Sequence, residues 1–103
     1  MNSTVFRVLA EVRLLSTEAG GRTTAVRGVY RPNHNFFEPD NPEMAIGTIE
    51  LPTGEELSPG ETRTLPITFI AWPPLAQITP GRQWRIQEGH RLVGIGIVKE
   101  VQG

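Results

Sequence analysis

Proline and glycine are spread along the whole chain and limit every regular element to a short length. The 103 residues include nine prolines and eleven glycines, and no window of eleven or more residues carries an apolar stripe with helical spacing. Proline lacks a backbone N–H and breaks helices, and glycine weakens them. The chain is therefore divided into segments of strand length, which predicts an all-β barrel or sandwich of six or seven short strands.

The clearest strand pattern lies near the N-terminus. Between Phe6 and Leu14 every second residue is apolar, while Arg7, Glu11 and Arg13 alternate with them. Side chains of a strand point to opposite faces in turn, so this pattern predicts a strand with one buried and one solvated face.

Further strands follow from β-prone segments between turn signals. Pro66 lacks an N–H, which predicts a sheet edge or a bulge at that point. The last two strands are expected to form a hairpin around Glu88-Gly89-His90, with Gly89 as the residue of positive φ. Residues 16–22 and 39–42 are predicted to be turns or loops, and residues 55–57 a short connection. The remaining predicted strands cover residues 23–30, 33–38, 44–51, 62–72, 83–87 and 91–101.

Length and composition predict one soluble domain over residues 1–103. The chain has no cysteine, so it has neither disulfides nor a thiolate metal site, and this composition fits a reducing cytoplasm. The longest apolar run, Leu92–Val98, has seven residues, whereas a membrane helix needs about 20. We expect a cytoplasmic protein that does not enter membranes.

Charge is segregated along the chain although the net charge is only −1. Residues 38–61 hold seven acids and no base, whereas the segments on either side each carry a net charge of +3. Nine of the ten basic residues are arginine, and the only lysine is Lys99. Guanidinium groups form bidentate pairs that lysine cannot form, so an arginine-rich surface suits specific contacts.

No catalytic motif emerges from the sequence. A phosphate-binding loop is absent, and Gly94-Ile95-Gly96 lacks the third glycine of a dinucleotide fingerprint and lies in a β-rich stretch. These glycines are better explained as small residues where strands pack closely. His34 and His90 lack zinc-ligand spacing, so both are expected at the surface. We therefore predict a non-enzymatic protein without a cofactor or metal.

The two tryptophans differ in their surroundings. Trp84 alternates with Ile86 on one face of a predicted strand, which favours the core. Trp72 precedes two prolines and is the better candidate for an exposed contact.

A set of ordered motifs covers the chain from about Phe6 to Val101. They are Leu15–Ser16 with Glu18–Thr23, Tyr30-Arg31-Pro32, Gly47–Pro52 with Gly54 and Pro59-Gly60, and Ile86 with Glu88-Gly89, Arg91, Val93-Gly94 and Gly96. Together they resemble, in the same order, the third domain of bacterial elongation factor Tu.

This resemblance implies a closed six-stranded antiparallel β-barrel. In that family the barrel packs on a second barrel, helps to hold the T-arm of aminoacyl-tRNA and contacts the nucleotide exchange factor. The GTPase domain and the second barrel have no counterpart in this sequence, so GTP hydrolysis is not expected of it.

Several positions depart from the family pattern. Gln87 stands where the family has an arginine that approaches tRNA phosphate, so a charge-assisted contact is lost. Asn33 replaces a glutamine, His90 replaces a glycine, Val29 is inserted before Tyr30, and the loop over residues 38–44 is longer. These departures weaken the tRNA-binding expectation.

Two functional hypotheses remain. The first is a protein-binding, translation-associated accessory module, and a partner shared with elongation factor Tu is one candidate for what it binds. The second is a tRNA- or RNA-binding module that uses an arginine-rich face. The candidate contact residues for a protein or RNA partner are Arg22, Arg27, Arg31, Asn33, Arg85, Gln87, Glu88, Gly89, His90 and Arg91.

Overall fold

Short strands make up most of the described chain. The computed structural model describes residues 6–37, 44–71 and 78–102. A single turn of 3₁₀-helix, Thr17–Ala19, follows the first strand. The strands are β1 (Phe6–Leu14), β2 (Val26–Arg27), β3 (Val29–Tyr30), β4 (Asn33–Asn35), β5 (Ala45–Glu50), β6 (Glu56–Leu57), β7 (Thr62–Ala71), β8 (Gln83–Glu88) and β9 (Arg91–Val101).

Antiparallel ladders join the strands into a closed ring. Around the barrel the order is β1, β7, β5, β4, β8 and β9, and β9 pairs with β1 again. Strand β3 pairs with β5 beyond β4, so β3 and β4 act as one strand interrupted at Arg31-Pro32. Strands β2 and β6 form a separate two-stranded sheet. The predicted closed six-stranded antiparallel barrel is confirmed.

Register shifts interrupt three of the ladders. They lie between Leu9 and Ala10, between Ile46 and Gly47, and between Ile86 and Gln87. A bulge bends its strand and increases the local twist, as closure of a small barrel requires. The prediction for Pro66 holds only locally. Strand β7 is paired on both sides over part of its length, but its ladder with β5 ends at Ile67, so Pro66 is paired only with β1.

The interior is filled by alternate residues of the long strands. In β1 the residues at positions 8, 10, 12 and 14 are buried, as the alternating pattern predicted. Trp84 is also buried, and its ring stacks on Phe36 at a centroid distance of 5.1 Å. A Cβ at Gly96 would lie 2.4 Å from the Trp84 ring, and one at Gly94 would lie 2.8 Å from the carbonyl oxygen of Arg13. Both glycines therefore mark close packing between strands.

His34 lies in the barrel interior with no exposed surface, so its expected surface position was wrong. Trp84 Nε1 donates to His34 Nδ1 at 3.0 Å, and His34 Nε2 lies 3.1 Å from the carbonyl oxygen of Gly47. Indole N–H can only donate, so the neutral ring accepts at Nδ1 and donates from Nε2. The Phe69 ring packs edge-on at a centroid distance of 5.1 Å. Burial lowers the pKa of His34 to about 4, although its bond to Gly47 acts in the opposite direction.

Several predicted boundaries need correction. The single strand predicted over residues 23–30 is two strands with different partners, because Gly28 adopts φ 63° and turns the chain between them. The predicted connection at residues 55–57 contains strand β6. The third predicted strand ends at Asn35. Its predicted end at residue 38, the loop at residues 39–42 and Trp72 lie outside the described residues.

The hairpin between β8 and β9 has the predicted position. Glu88 pairs with Arg91, and Gly89 adopts φ 63°. His90 is exposed in the turn, as expected.

We expect His34 to make folding sensitive to mild acid. In the unfolded chain His34 binds a proton near pH 6.5, whereas in the folded chain it does so only near pH 4. The contribution of neutral His34 to the free energy of unfolding is complete above about pH 6.5 and is lost as the pH falls. The loss between about pH 7 and pH 5 amounts to about 2 kcal/mol. Urea unfolding at the two pH values measures it. His34→Gln should remove this part of the pH dependence, because the amide can replace both hydrogen bonds without titrating.

His90→Gln is the matched control, because it removes the exposed histidine and should keep the pH dependence of the parent. Equal acid losses for the parent and His34→Gln would contradict the assignment.

We expect Gly89→Val to destabilise the fold by about 1–3 kcal/mol through backbone strain. A Cβ at Gly89 would have no heavy atom within 4 Å, so crowding does not contribute. Gly89→Asn should cost less, because asparagine tolerates positive φ. His90→Gly should leave the melting temperature unchanged, because the side chain is exposed. Thermal melts of the three variants test the hairpin, and a parental melting temperature for Gly89→Val would refute its geometry.

Candidate functional site

The hairpin end of the barrel brings together residues that are far apart in the sequence. Arg22 follows the 3₁₀ turn, Tyr30 ends β3, Glu88 ends β8 and Arg91 begins β9. We call these four residues the hairpin cluster. Arg22, Glu88 and Arg91 were predicted contact residues, whereas Tyr30 entered the sequence argument only through its Tyr-Arg-Pro motif.

The Glu88 carboxylate is the centre of the hairpin cluster. Its Oε2 accepts a hydrogen bond from the Tyr30 hydroxyl at 2.5 Å and forms an ion pair with Arg22. The Arg22 guanidinium also lies 5.3 Å from the centre of the Tyr30 ring and donates to the Thr24 carbonyl and hydroxyl oxygens, each at 3.1 Å. The Glu88 carboxylate of β8 thus connects two other segments of the chain.

The surroundings of Tyr30 and Arg22 keep both side chains protonated near neutral pH. Burial raises the pKa of Tyr30, and the hydrogen bond to Glu88 and the charge of Glu88 raise it further. Burial acts to lower the pKa of Arg22, but the hydrogen bond and charge of Glu88 outweigh it and the pKa is raised. The phenol therefore remains a donor and the guanidinium remains charged.

Arg91 connects the hairpin to the turn that follows β1 through hydrogen bonds. Its Nε donates to the Gly20 carbonyl oxygen at 3.0 Å, and a terminal guanidinium nitrogen donates to the Gly21 carbonyl oxygen. The turn is itself capped by Ser16, whose hydroxyl accepts from the backbone N–H of Ala19 at 3.2 Å. Arg91 therefore bonds to backbone acceptors of its own chain.

Gln87 is only 3% exposed and lies inside the hairpin, where it offers little surface to a partner. Its Oε1 accepts from Asn35 Nδ2 at 2.8 Å, and its Nε2 lies 3.4 Å from the Gly89 carbonyl oxygen. The amide therefore links β4 to the hairpin turn. Sequence alternation does not reveal this position, because a bulge after Ile86 leaves two consecutive residues buried.

The other predicted contact residues are dispersed around the hairpin cluster. Arg27 forms an exposed ion pair with Glu56 at 2.8 Å, and Arg85 donates to the Phe37 carbonyl oxygen at 2.8 Å. Asn33 is half-buried in β4, whereas Gly89 and His90 are exposed in the hairpin turn. Arg31 is exposed, and within the described residues no hydrogen bond or ion pair engages its side chain.

We expect the Tyr30–Glu88 contact to be worth about 1 kcal/mol, since a hydrogen bond to a half-buried charge is weaker than a fully buried one. A double-mutant cycle with Tyr30→Phe and Glu88→Gln measures this coupling in urea unfolding. Tyr30→Phe keeps the ring beneath Arg22 and removes only the hydroxyl. The corresponding cycle with Arg27→Gln and Glu56→Gln should show no measurable coupling, because that pair is exposed to solvent. Additive effects of Tyr30→Phe and Glu88→Gln would contradict the contact.

No protein-family model matches the chain. The chemistry of the site depends on one carboxylate, one phenol and two guanidinium groups that bond within the chain. Across residues 6–37, 44–71 and 78–102, no group of three or more histidine, aspartate or glutamate side chains is placed to hold a metal ion. No helix in the same ranges is long and apolar enough to cross a membrane.

Proposed function

We propose that this chain is a non-catalytic module that binds another protein, as a translation-associated accessory similar to the third domain of elongation factor Tu. The observation that carries the proposal is the engagement of the arginines at the hairpin end by the protein's own atoms. An arginine that is held by internal acceptors supports a defined surface shape, but it has fewer donors left for phosphate.

The geometry of the hairpin cluster supports the resemblance. Three of the motifs that carry it supply residues in direct contact: Arg22 from the first turn, Tyr30 from the Tyr-Arg-Pro run and Glu88 from the final hairpin. Arg22 and Tyr30 each lie 58 or more positions from Glu88 in the sequence. A chance likeness in three short motifs gives no reason for their side chains to meet.

The arginines proposed for RNA binding do not form one open basic face. Arg22 and Arg27 are each paired with a glutamate, and Arg85 and Arg91 donate to backbone carbonyl oxygens. Only Arg31 among the five has no bonding partner within the described residues. Non-specific affinity for nucleic acid grows with the number of phosphates contacted, so this arrangement favours a protein partner.

Affinity capture tests the proposal. The immobilised protein, incubated with a nuclease-treated lysate of its native cell, should retain a protein reproducibly at physiological salt. An excess of purified elongation factor Tu should displace that protein if the two share the partner. Recovery of nucleic acid without protein from an untreated lysate would overturn the proposal.

A tRNA-binding assay tests the alternative directly. We expect no retardation of tRNA at physiological salt, because the one unpaired arginine among the five candidates gives a salt slope of only about 0.7–0.9. Arg31→Gln and Lys99→Gln remove the same charge, the second near the opposite end of β9 from the hairpin. If tRNA binds and only Arg31→Gln abolishes its binding, the RNA-binding function replaces the protein-binding one.

A further inference from the structure

Two adjoining hollows of about 470 and 510 Å³ lie where β5 ends and share Glu50, Leu51 and Glu55 in their walls. We call them together the Glu50 groove. The first hollow extends to Val29 of β3, and the second extends to Pro66 of β7.

The groove arises because one of the two ladders of β5 stops before the other. The ladder with β7 ends at Ile49 opposite Ile67, whereas the ladder with β3 on the other edge continues to Glu50 opposite Val29. The chain turns after Leu51 and returns as β6, which pairs with β2 rather than with the barrel. The space between the diverging elements remains open to solvent.

Glu50 is the one carboxylate of the groove without a cation of its own. Glu55 is paired with Arg63 at 2.8 Å, and Glu56 is paired with Arg27 at 2.8 Å. The Glu50 carboxylate is exposed, and no hydrogen bond or ion pair engages it within the described residues. Since it borders both hollows, the unbalanced negative charge lies at the middle of the groove.

An exposed apolar side chain stands beside this charge. Val29 is 60% exposed, more than any other large hydrophobic residue among those the structure describes. It lies directly opposite Glu50 in the β3–β5 ladder. In an antiparallel pair, residues directly opposite each other place their side chains on the same face about 5 Å apart. A ligand that reaches Glu50 will therefore also meet Val29.

We propose that the Glu50 groove binds an extended segment of a partner protein that places a lysine or arginine over Glu50 and an apolar side chain on Val29. Charge complementarity selects this occupant: three glutamates face two arginines, and the remaining carboxylate repels acidic peptides and nucleic acid. Side chains two positions apart on an extended segment lie on the same face about 7 Å apart, so a basic and an apolar residue at that spacing can meet Glu50 and Val29 together. This inference rests on the proposed protein-binding function and specifies its binding surface.

Synthetic peptides test the specificity of the groove. Three labelled peptides of about eight residues, about 27 Å long when extended, are compared by fluorescence anisotropy. The first carries arginine and leucine in turn at every second position, with serine between them, so that both side chains lie on one face. The second carries arginine and serine at those positions, and the third carries glutamate and leucine. At about 150 mM salt, where distant charges are screened, the arginine–leucine peptide should bind at least about tenfold more tightly than either of the others.

Matched variants test whether the peptide binds in the groove. Glu50→Gln and Val29→Ser should each weaken binding of the arginine–leucine peptide about fivefold. Glu100→Gln and Val101→Ser remove the same groups from β9, three strand spacings or about 14 Å around the barrel, and should leave the affinity unchanged. Equal losses of affinity for Glu50→Gln and Glu100→Gln would contradict the groove as the binding site. Equal binding of the arginine–leucine and arginine–serine peptides would contradict it as well.

Two further measurements separate the alternatives. A concentration-dependent dimer that Val29→Ser abolishes would assign the groove to a second copy of this chain and overturn the peptide proposal. In the lysate experiment, one outcome is a partner that the parent and a Val29→Ser, Glu50→Gln double variant retain equally. That result would support the protein-binding function and contradict the groove as its binding site. Loss of that partner only in the double variant, together with the predicted peptide preference, supports both.

Discussion

Closure of the ring by the β5–β7 ladder is the constraint on which the rest of the structure depends. Without that ladder, the same strands would form an open sheet with two unpaired edges. Backbone and side chain also approach closely at this ladder, since a Cβ at Gly47 would lie 2.7 Å from the Phe69 ring. The absence of a side chain at this position lets β7 carry a phenylalanine into the centre of the barrel.

The same position explains the buried histidine. The Gly47 carbonyl oxygen faces one nitrogen of the His34 ring, and Trp84 of the neighbouring strand β8 donates to the other nitrogen. A neutral imidazole is one of few side chains that can accept from an indole and donate to a carbonyl at once. His34 therefore connects β4 to β5 and β8 through side-chain bonds as well as through the ladders, at the price of remaining uncharged.

The sequence predicted those features that depend on local alternation or on turn residues. The strand over residues 6–14, the hairpin with its glycine, the burial of Trp84 and the closed barrel follow from period-two patterns and from the resemblance. Burial of His34 could not be predicted, because a polar residue in an Asn-His-Asn run gives no apolar signal. The break at Gly28 was missed for a related reason. Valine, arginine and tyrosine around it favour strands on either side, and only the partner of each strand shows that the chain turns there.

The candidate contact surfaces depend on tertiary pairing, so sequence reasoning reached them only in part. Arg22 and Glu88 were candidates from separate motifs, and the fold turns them into partners of each other rather than into ligands for phosphate. Glu50 belonged to an acidic segment with no distinguishing neighbour until the register placed it opposite Val29.

Strand β3 relates the two surfaces to each other. It is two residues long, and its two side chains contribute to different surfaces. Tyr30 donates to Glu88 in the hairpin cluster, whereas Val29 lines the Glu50 groove. Successive side chains of a strand point to opposite faces, so a strand held by Glu88 through Tyr30 must present Val29 to solvent. The hairpin cluster therefore fixes the orientation of the groove's apolar wall. A cluster whose charges are satisfied within the chain thus acts as the rigid support for the neighbouring surface, where one carboxylate and one valine have no counterpart in the described residues.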